Sequence, residues 1–376
     1  MKYLINGISA KVGGGKSVLN NFVNQLLLDV EFLENRHITM IIPYQFDYEH
    51  FPNHINIIKI PRLLSGSIFT FLSIILILPI FLKLKRFDVV FNLADIPIPT
   101  ATKQAMIFDW AFAIYEDQEI WKRMSFAERT YKKFKLKVFD TTLNYVDILM
   151  PQTEIAKARL EAKYKLKDLI VIPNAVNLSA LSRESNINRH RDEKFVFYYL
   201  THYYPHKNLE ALLDFADKFR NILAGCEIVL TLDETNKKVQ RLLKNIEIAE
   251  LSDIVVNIGP IKFSNIASFY DRVDALIMPS LIESFSGSYV EAMSRGKCIL
   301  TSDRDFAKFV CGDAALYFDP LNSCSIMLAV KKILGSQALR MNLIEKGNKR
   351  LDYFPDWPQV YLLYKEKFLE LERSVD

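Results

Sequence analysis

Short apolar runs recur along almost the whole chain, separated by stretches with helical spacing, and few folds accommodate that alternation. In the first half the runs fall at residues 3–8, 38–42, 55–60, 89–93, 106–108, 148–150 and 170–172. A polar, aperiodic stretch at 177–194 interrupts them, and a second series follows at 195–200, 228–232, 254–258, 275–278, 298–301 and 316–318. Continuous apolar runs suit strands buried on both faces, and strands alternating with helices suit a parallel sheet. The expectation is an α/β chain of two Rossmann-like, doubly wound domains facing a central cleft. The first covers 1–176, the second 195–354, and 177–194 is the linker. At 376 residues, half of them apolar, the chain is long enough for two cores. Val18, Phe22, Leu26 and Val30 recur every four residues, which predicts a helix over 17–32 with one buried face. No repeat of a solenoid's period is evident.

Charge and cysteine content narrow the function classes. A net charge of +4 with balanced acids and bases is not a nucleic-acid signature. Cys226, Cys298, Cys311 and Cys324 form no C-x-x-C pair, and no secretory leader precedes them. A reduced, cytoplasmic setting without zinc is expected.

The most chemically suggestive stretch runs from Pro279 to Gly296. The apolar run 275–278 ends in Pro279-Ser280, a loop of small residues follows, and a helix-like pattern opens near Ser288 with carboxylates at Glu283 and Glu291. A loop feeding a helix N-terminus offers backbone N–H groups and a positive dipole end to a phosphate. Carboxylates would repel that phosphate, so they are expected to meet hydroxyls, and a ligand carrying both is a sugar nucleotide. Ser288-x-x-Glu291 also fits a capping box, in which Glu291 would be purely structural.

Glu283 and Glu291 are separated by seven intervening residues within Pro279-Ser-x-x-Glu-Ser-Phe-Ser-Gly-Ser-x-x-Glu-Ala-Met293. This stretch resembles the E-x7-E signature of the retaining glycosyltransferases of family GT4, which have the GT-B fold. Asn257-Ile-Gly-Pro260, Tyr270, Asp274 and Gly312-Asp-Ala-Ala315 extend the likeness over about residues 195 to 335. The resemblance implies transfer of a sugar from a nucleotide-sugar donor to a hydroxyl, with anomeric configuration retained and no metal or cofactor required. It implies donor contacts from Glu291, Phe285, Ser286, Gly287 and Ser288, with Glu283 at the reacting sugar. It also implies that 355–376 forms a helix returning to the first domain. A sugar-nucleotide epimerase or phosphorylase of the same fold, or a non-catalytic sugar-nucleotide-binding protein, remains an alternative.

Other positions are carried over in part. Lys207 matches the family's diphosphate lysine, whereas the arginine position is His202, which carries full charge only below about pH 6.5 and equally suits a surface loop. Lys237 or Lys238 is a possible second base. Gly14 and Gly15, in Gly13-Gly-Gly-Lys-Ser17, are expected to let backbone approach the ligand, and Asn174 to line the cleft. A P-loop reading of the glycines fails because Ala10 stands where the motif needs its first glycine. The family's N-domain histidine has no counterpart, since no histidine lies between His54 and His190; Asp109 is the candidate replacement, unless it only caps a helix.

Two segments point to a membrane surface. Residues 63–82 are uncharged and long enough to span a bilayer. They sit between strand-like runs of one sheet, so a helix buried in the first domain or lying in the interface is expected. From 121 to 139, seven Lys and Arg alternate with aromatic and apolar residues against Glu128 as the only acid, a pattern of interfacial segments and also of solvated helix faces. A lipid-linked saccharide acceptor in bacterial surface-polysaccharide synthesis, and a peripheral position on the inner face of the cytoplasmic membrane, follow as expectations.

Overall fold

The computed structural model describes residues 1–46, 51–52, 55–166, 169–176 and 194–375; the expected linker lies outside them except for Lys194. The chain divides into two units: Met1–Glu116 with Ser125–Ala175 and Pro355–Asp376, and Asp117–Met124 with Val176–Phe354. The difference from the sequence reading is residues 117–124, which group with the second unit. There Arg304 faces Asp117 at 3.7 Å and Arg123 faces Glu210 at 3.9 Å.

Each unit is built on a six-stranded, all-parallel sheet. The first contains β1 (Lys2–Asn6), β2 (His37–Ile42), β3 (Ile55–Lys59), β4 (Val89–Asn92), β5 (Lys103–Phe108) and β6 (Ile148–Pro151), in the order β3-β2-β1-β4-β5-β6. The second contains β7 (Phe195–Tyr199), β8 (Cys226–Leu230), β9 (Val255–Asn257), β10 (Ala275–Met278), β11 (Cys298–Ser302) and β12 (Leu316–Phe318), in the order β12-β11-β10-β7-β8-β9. Strand direction of growth reverses between β1 and β4 in one sheet and between β7 and β10 in the other. Loops leaving those strands diverge at the carboxyl edge, which is where open α/β sheets hold ligands.

Two expected elements differ. Residues 170–172 are not a strand; Ile172 N–H donates to Pro151 C=O at 3.0 Å, and the segment runs past the sheet edge. The helix predicted over 17–32 is two helices, Gly13–Leu28 and Val30–Glu34. Asp29 leaves helical dihedrals and caps the second by accepting from Phe32 N–H, which turns Val30 outward to 58% exposure. Gly7, at the end of β1, is required by close approach: a Cβ there would lie 2.7 Å from Leu19 Cδ2.

The last helix, Trp357–Arg373, belongs to the first unit's core. Asp356 caps it in a capping box with Gln359, and Trp357, Val360, Tyr361, Tyr364, Phe368 and Leu371 are buried. Phe368 meets Phe91 edge-on at 4.7 Å and Phe22 at 6.1 Å. Arg36 grips Glu372 with two bonds of 2.7 Å, and Lys365 and Tyr361 both reach Asp29. Phe368→Ala is expected to lower the unfolding free energy by about 3–5 kcal/mol, read by urea titration of the full chain. A loss below about 1 kcal/mol would mean that this helix is dispensable to the first unit's core.

Candidate functional site

In the second unit the loops after β7 and β10 are joined at the reversal point. Pro205–Lys207 forms a 3-10 turn, and Asn208 follows in the left-handed region at φ 55. The buried Asn208 amide donates to the carbonyls of Pro279 (3.1 Å) and Pro320 (2.8 Å), and Leu281 N–H donates to His206 C=O at 2.8 Å. This stitching brings Lys207 to Glu283: Nζ to Oε1 is 2.6 Å, with both side chains largely buried. The same carboxylate oxygen accepts from Ser280 Oγ at 2.7 Å, and Ser280 Oγ lies 2.7 Å from the Tyr199 hydroxyl. Sequence reasoning assigned the lysine to phosphate and the carboxylate to hydroxyls separately. The structure joins them in one ion pair, so Glu283 sets where the Lys207 charge sits.

The helix predicted to open near Ser288 is Gly287–Ser294, with Ser286 at its N-cap and no side-chain cap. Ser288 is therefore inside the first turn, and the capping-box reading of Ser288 and Glu291 fails by that shift. Glu291 accepts instead from the Tyr270 hydroxyl at 2.7 Å. Burial pushes its carboxyl above the usual range, and the Tyr270 bond only partly opposes this. A Cβ at Gly287 would sit 3.8 Å from Glu291 Oε1, so the glycine keeps the ground over that carboxylate low. Ser286 is buried, Gly287 and Ser288 are half-buried, and Phe285 packs edge-on against Phe354 at 6.2 Å. Residues 286–288 thus open the helix at a point in the chain between Glu283 and Glu291.

At His202, which stands at the arginine position, burial and the neighbouring Lys207 hold the imidazole below its ordinary value, with Asp233 only partly opposing. Lys237 and Lys238 open the helix Lys237–Ile248 beyond an Asn236 cap, with Lys237 exposed and Lys238 half-buried. The four cysteines are free thiols, three of them buried.

In the first unit a second polar cluster forms at the β1/β4 reversal. Asn6, Asn92 and Gln104, all fully buried, make a ladder: Asn6 Nδ2 donates to Asn92 Oδ1 at 2.9 Å, and Asn92 Nδ2 to Gln104 Oε1 at 3.0 Å. The same amides tie down the loop after β4 through Ala94 N–H, Ile96 C=O and Ile98 N–H. That loop carries Asp95, which is ion-paired with Lys135. Burial alone would raise the Asp95 carboxyl, but Lys135, Lys132 and Lys11 outweigh it and hold it below the usual range. Asp109, just past β5, is driven the other way, up to about 7, by burial and then by the Asp95 charge, with Lys135 opposing. Burial and charge thus push these two carboxyls in opposite directions. The neighbouring 3-10 turn Ala111–Ala113 has Trp110 at its N-cap, so Asp109 is not its cap.

Gly14 and Gly15 lie in the first turn of Gly13–Leu28, after Gly13 at φ 59. A Cβ at Gly14 would meet nothing within 4 Å, so the protein's own packing does not demand glycine there. Lys16 turns away to donate to Gln45 C=O at 2.8 Å, unlike a P-loop lysine. Asn174 is half-buried in the segment past β6.

Residues 182–350 match the family described as glycosyl transferases group 1. The matched stretch lies within the second unit. Over 215 residues the chain is 24% identical to the O-antigen chain mannosyltransferase RfbU of Salmonella typhimurium, a match covering 56% of each protein, so it spans about half the length of that curated relative. A sucrose-phosphate synthase from Thermosynechococcus elongatus superposes with a TM-score of 0.75 at 16% identity, with all of both chains covered. Anabaena Alr3699/HepE, solved in complex with UDP and glucose, superposes with a TM-score of 0.69 at 13% identity, covering 98% of this chain and 100% of that one. At such identities the superpositions speak to fold alone, and the fold of this chain is GT-B. The Lys207–Glu283 pair, Tyr270 and the 279–291 loop all fall inside the family match.

Proposed function

We propose that this chain transfers a glycosyl residue from a nucleotide-activated sugar to a hydroxyl of a saccharide acceptor, retaining the anomeric configuration. The observation that carries the reading is the Lys207–Glu283 pair beside the start of Gly287–Ser294, with Glu291 one turn inside the same helix. Lys207 and the amides of 286–288 take the diphosphate, whose charge grows as the glycosidic bond breaks. Glu291 accepts from ribose hydroxyls. Glu283 fixes Lys207 and meets the sugar. The acceptor enters on the first unit, where Asp109 takes the proton that the attacking hydroxyl loses. Same-face attack, assisted by the departing phosphate, keeps the configuration without a covalent intermediate. The name of the Salmonella relative, an O-antigen chain mannosyltransferase, supports a hexose donor and a saccharide of surface-polysaccharide assembly as acceptor.

The test is nucleoside diphosphate release from a panel of nucleotide sugars, with and without bacterial lipid extract, followed by NMR of the product's anomeric proton. Release stimulated by lipid, with an anomer matching the donor's, supports transfer with retention. Product without any acceptor, or dependence on free phosphate, would instead identify an epimerase or a phosphorylase. Glu291→Ala is expected to raise the donor KM about tenfold or more, the loss of a charge-assisted hydrogen bond, while kcat changes only a few-fold. An unchanged KM would remove Glu291 from the donor site.

A further inference from the structure

The segment expected to be buried or interfacial is a helix, Ser67–Lys85, with a π-helical turn at Ser73–Ile77. It has two apolar faces, and the protein covers one. Phe71, Ile74, Leu78 and Leu82 are buried against Leu4 and Val90 of the first sheet. Ile68, Leu72, Leu76, Ile80 and Leu84 repeat every four residues on the remaining surface, with Leu76, Ile80 and Leu84 at 57%, 60% and 75% exposure.

The bare surface continues onto the helix Phe126–Thr142. Its Tyr131 hydroxyl donates to Ser67 C=O at 3.1 Å, and Phe134 packs edge-on against Phe71 at 5.7 Å while remaining 55% exposed. Basic residues bound this surface. Residues 62–87 contain no Asp or Glu, and Arg62, Lys83, Lys85 and Arg86 are exposed at the two ends. Lys133 and Lys137, also exposed, flank Phe134 along the second helix.

An exposed apolar patch of this extent on a soluble protein marks an interaction surface. Length and mean hydropathy, 2.3 over the best window, would allow a membrane span. A span would strip Phe71, Ile74, Leu78 and Leu82 from the sheet they cover. A second copy of the chain would bring basic rim against basic rim, which like-charge repulsion opposes. An anionic bilayer satisfies both features: acyl chains take the apolar rows, and headgroups take the basic ends. We propose that the bare face of Ser67–Lys85, with Phe134 and the flanking lysines and arginines, seats the first unit on an anionic lipid surface, lying in the interface without crossing it. Lys11 donates to Ser65 C=O and to Thr70 Oγ1, each at 2.6 Å, so the seated helix is fastened to the polar cluster around Asp95.

The test is flotation of the full chain with phosphatidylcholine vesicles, with and without phosphatidylglycerol, and it is independent of catalysis. Binding is expected with phosphatidylglycerol and to be at least about tenfold weaker without it, given about 1 kcal/mol for each basic residue near the surface. Leu76→Asp with Ile80→Asp should lower partitioning by about tenfold or more without lowering Tm, because both side chains are already exposed. As a check needing no charged substitution, Ile80→Trp should give a blue-shifted emission on adding the anionic vesicles. Absence of flotation by the wild type, or undiminished flotation by the double variant, overturns the proposal. So does resistance to alkaline carbonate extraction, which indicates a span, or a dimer dissolved by the same substitutions with no vesicle binding.

Discussion

Glu283→Ala is expected to lower kcat by about 10²–10³-fold while changing the donor KM far less than Glu291→Ala does. The reason lies in what Glu283 holds. Its Oε1 binds Lys207 Nζ at 2.6 Å and the Ser280 hydroxyl at 2.7 Å, and Ser280 is joined in turn to Tyr199. Without the carboxylate, the ammonium loses its fixed position just where charge develops on the leaving diphosphate. Interactions that strengthen in the transition state act on kcat, whereas those equal in ground and transition states act on KM. Truncation also breaks a pair whose side chains are only 16% and 9% exposed. Removing one partner of such a pair costs about 3–5 kcal/mol at full burial, so Tm must be followed alongside turnover. Glu283→Gln separates the two effects. It can still accept from Ser280 but no longer pairs ionically with Lys207, so it should stay folded and lose turnover by about tenfold or more. If Glu283→Gln and Glu291→Ala both turned over like the wild type, the donor site would have to lie elsewhere.

The strands and their grouping were legible in the sequence because parallel strands buried on both faces leave uninterrupted apolar runs. Twelve of the thirteen runs correspond to β1–β12, and the thirteenth, at 170–172, is apolar because it packs on the first unit's core without pairing in the sheet. Helix boundaries were less legible. Asp29 ends one helix and caps the next, so a four-residue apolar repeat that ran through it misplaced Val30. A start one residue before Ser288 was enough to undo the capping box with Glu291. Ion pairs were not legible at all, since no pattern links Lys207 with Glu283 across 76 positions or Lys135 with Asp95 across 40. The usable signal was topological. With β1 and β4 as diverging neighbours, the loop Leu93-Ala-Asp95 after β4 lies where open α/β sheets hold ligands, which makes Asp95 a candidate by position as Asp109 is.

Asp109→Asn is expected to remove a limb of the pH–rate profile as well as lowering the rate. The Asp109 carboxyl is held up to about 7 by burial and the Asp95 charge, so raising pH through that value converts it to the base that can accept a hydroxyl proton. In the wild type kcat should rise with pH and level off above about 7. The asparagine variant should be slower by about 10²–10⁴-fold and flat across the same window. Stability should move in the opposite sense. A carboxyl whose folded pKa lies above its unfolded value of 3.8 binds its proton more tightly when folded. Its contribution is therefore favourable at low pH and is lost between about 4 and 7, as the unfolded chain ionises first. Asp109→Asn removes that loss, so its Tm should fall less than the wild type's across this range. Asp95→Asn is the companion: it removes the charge that raises Asp109 and should shift the rising limb of the wild-type profile to lower pH. A limb that stays in place in both variants would assign the titration to another group and take the proton-accepting role away from Asp109.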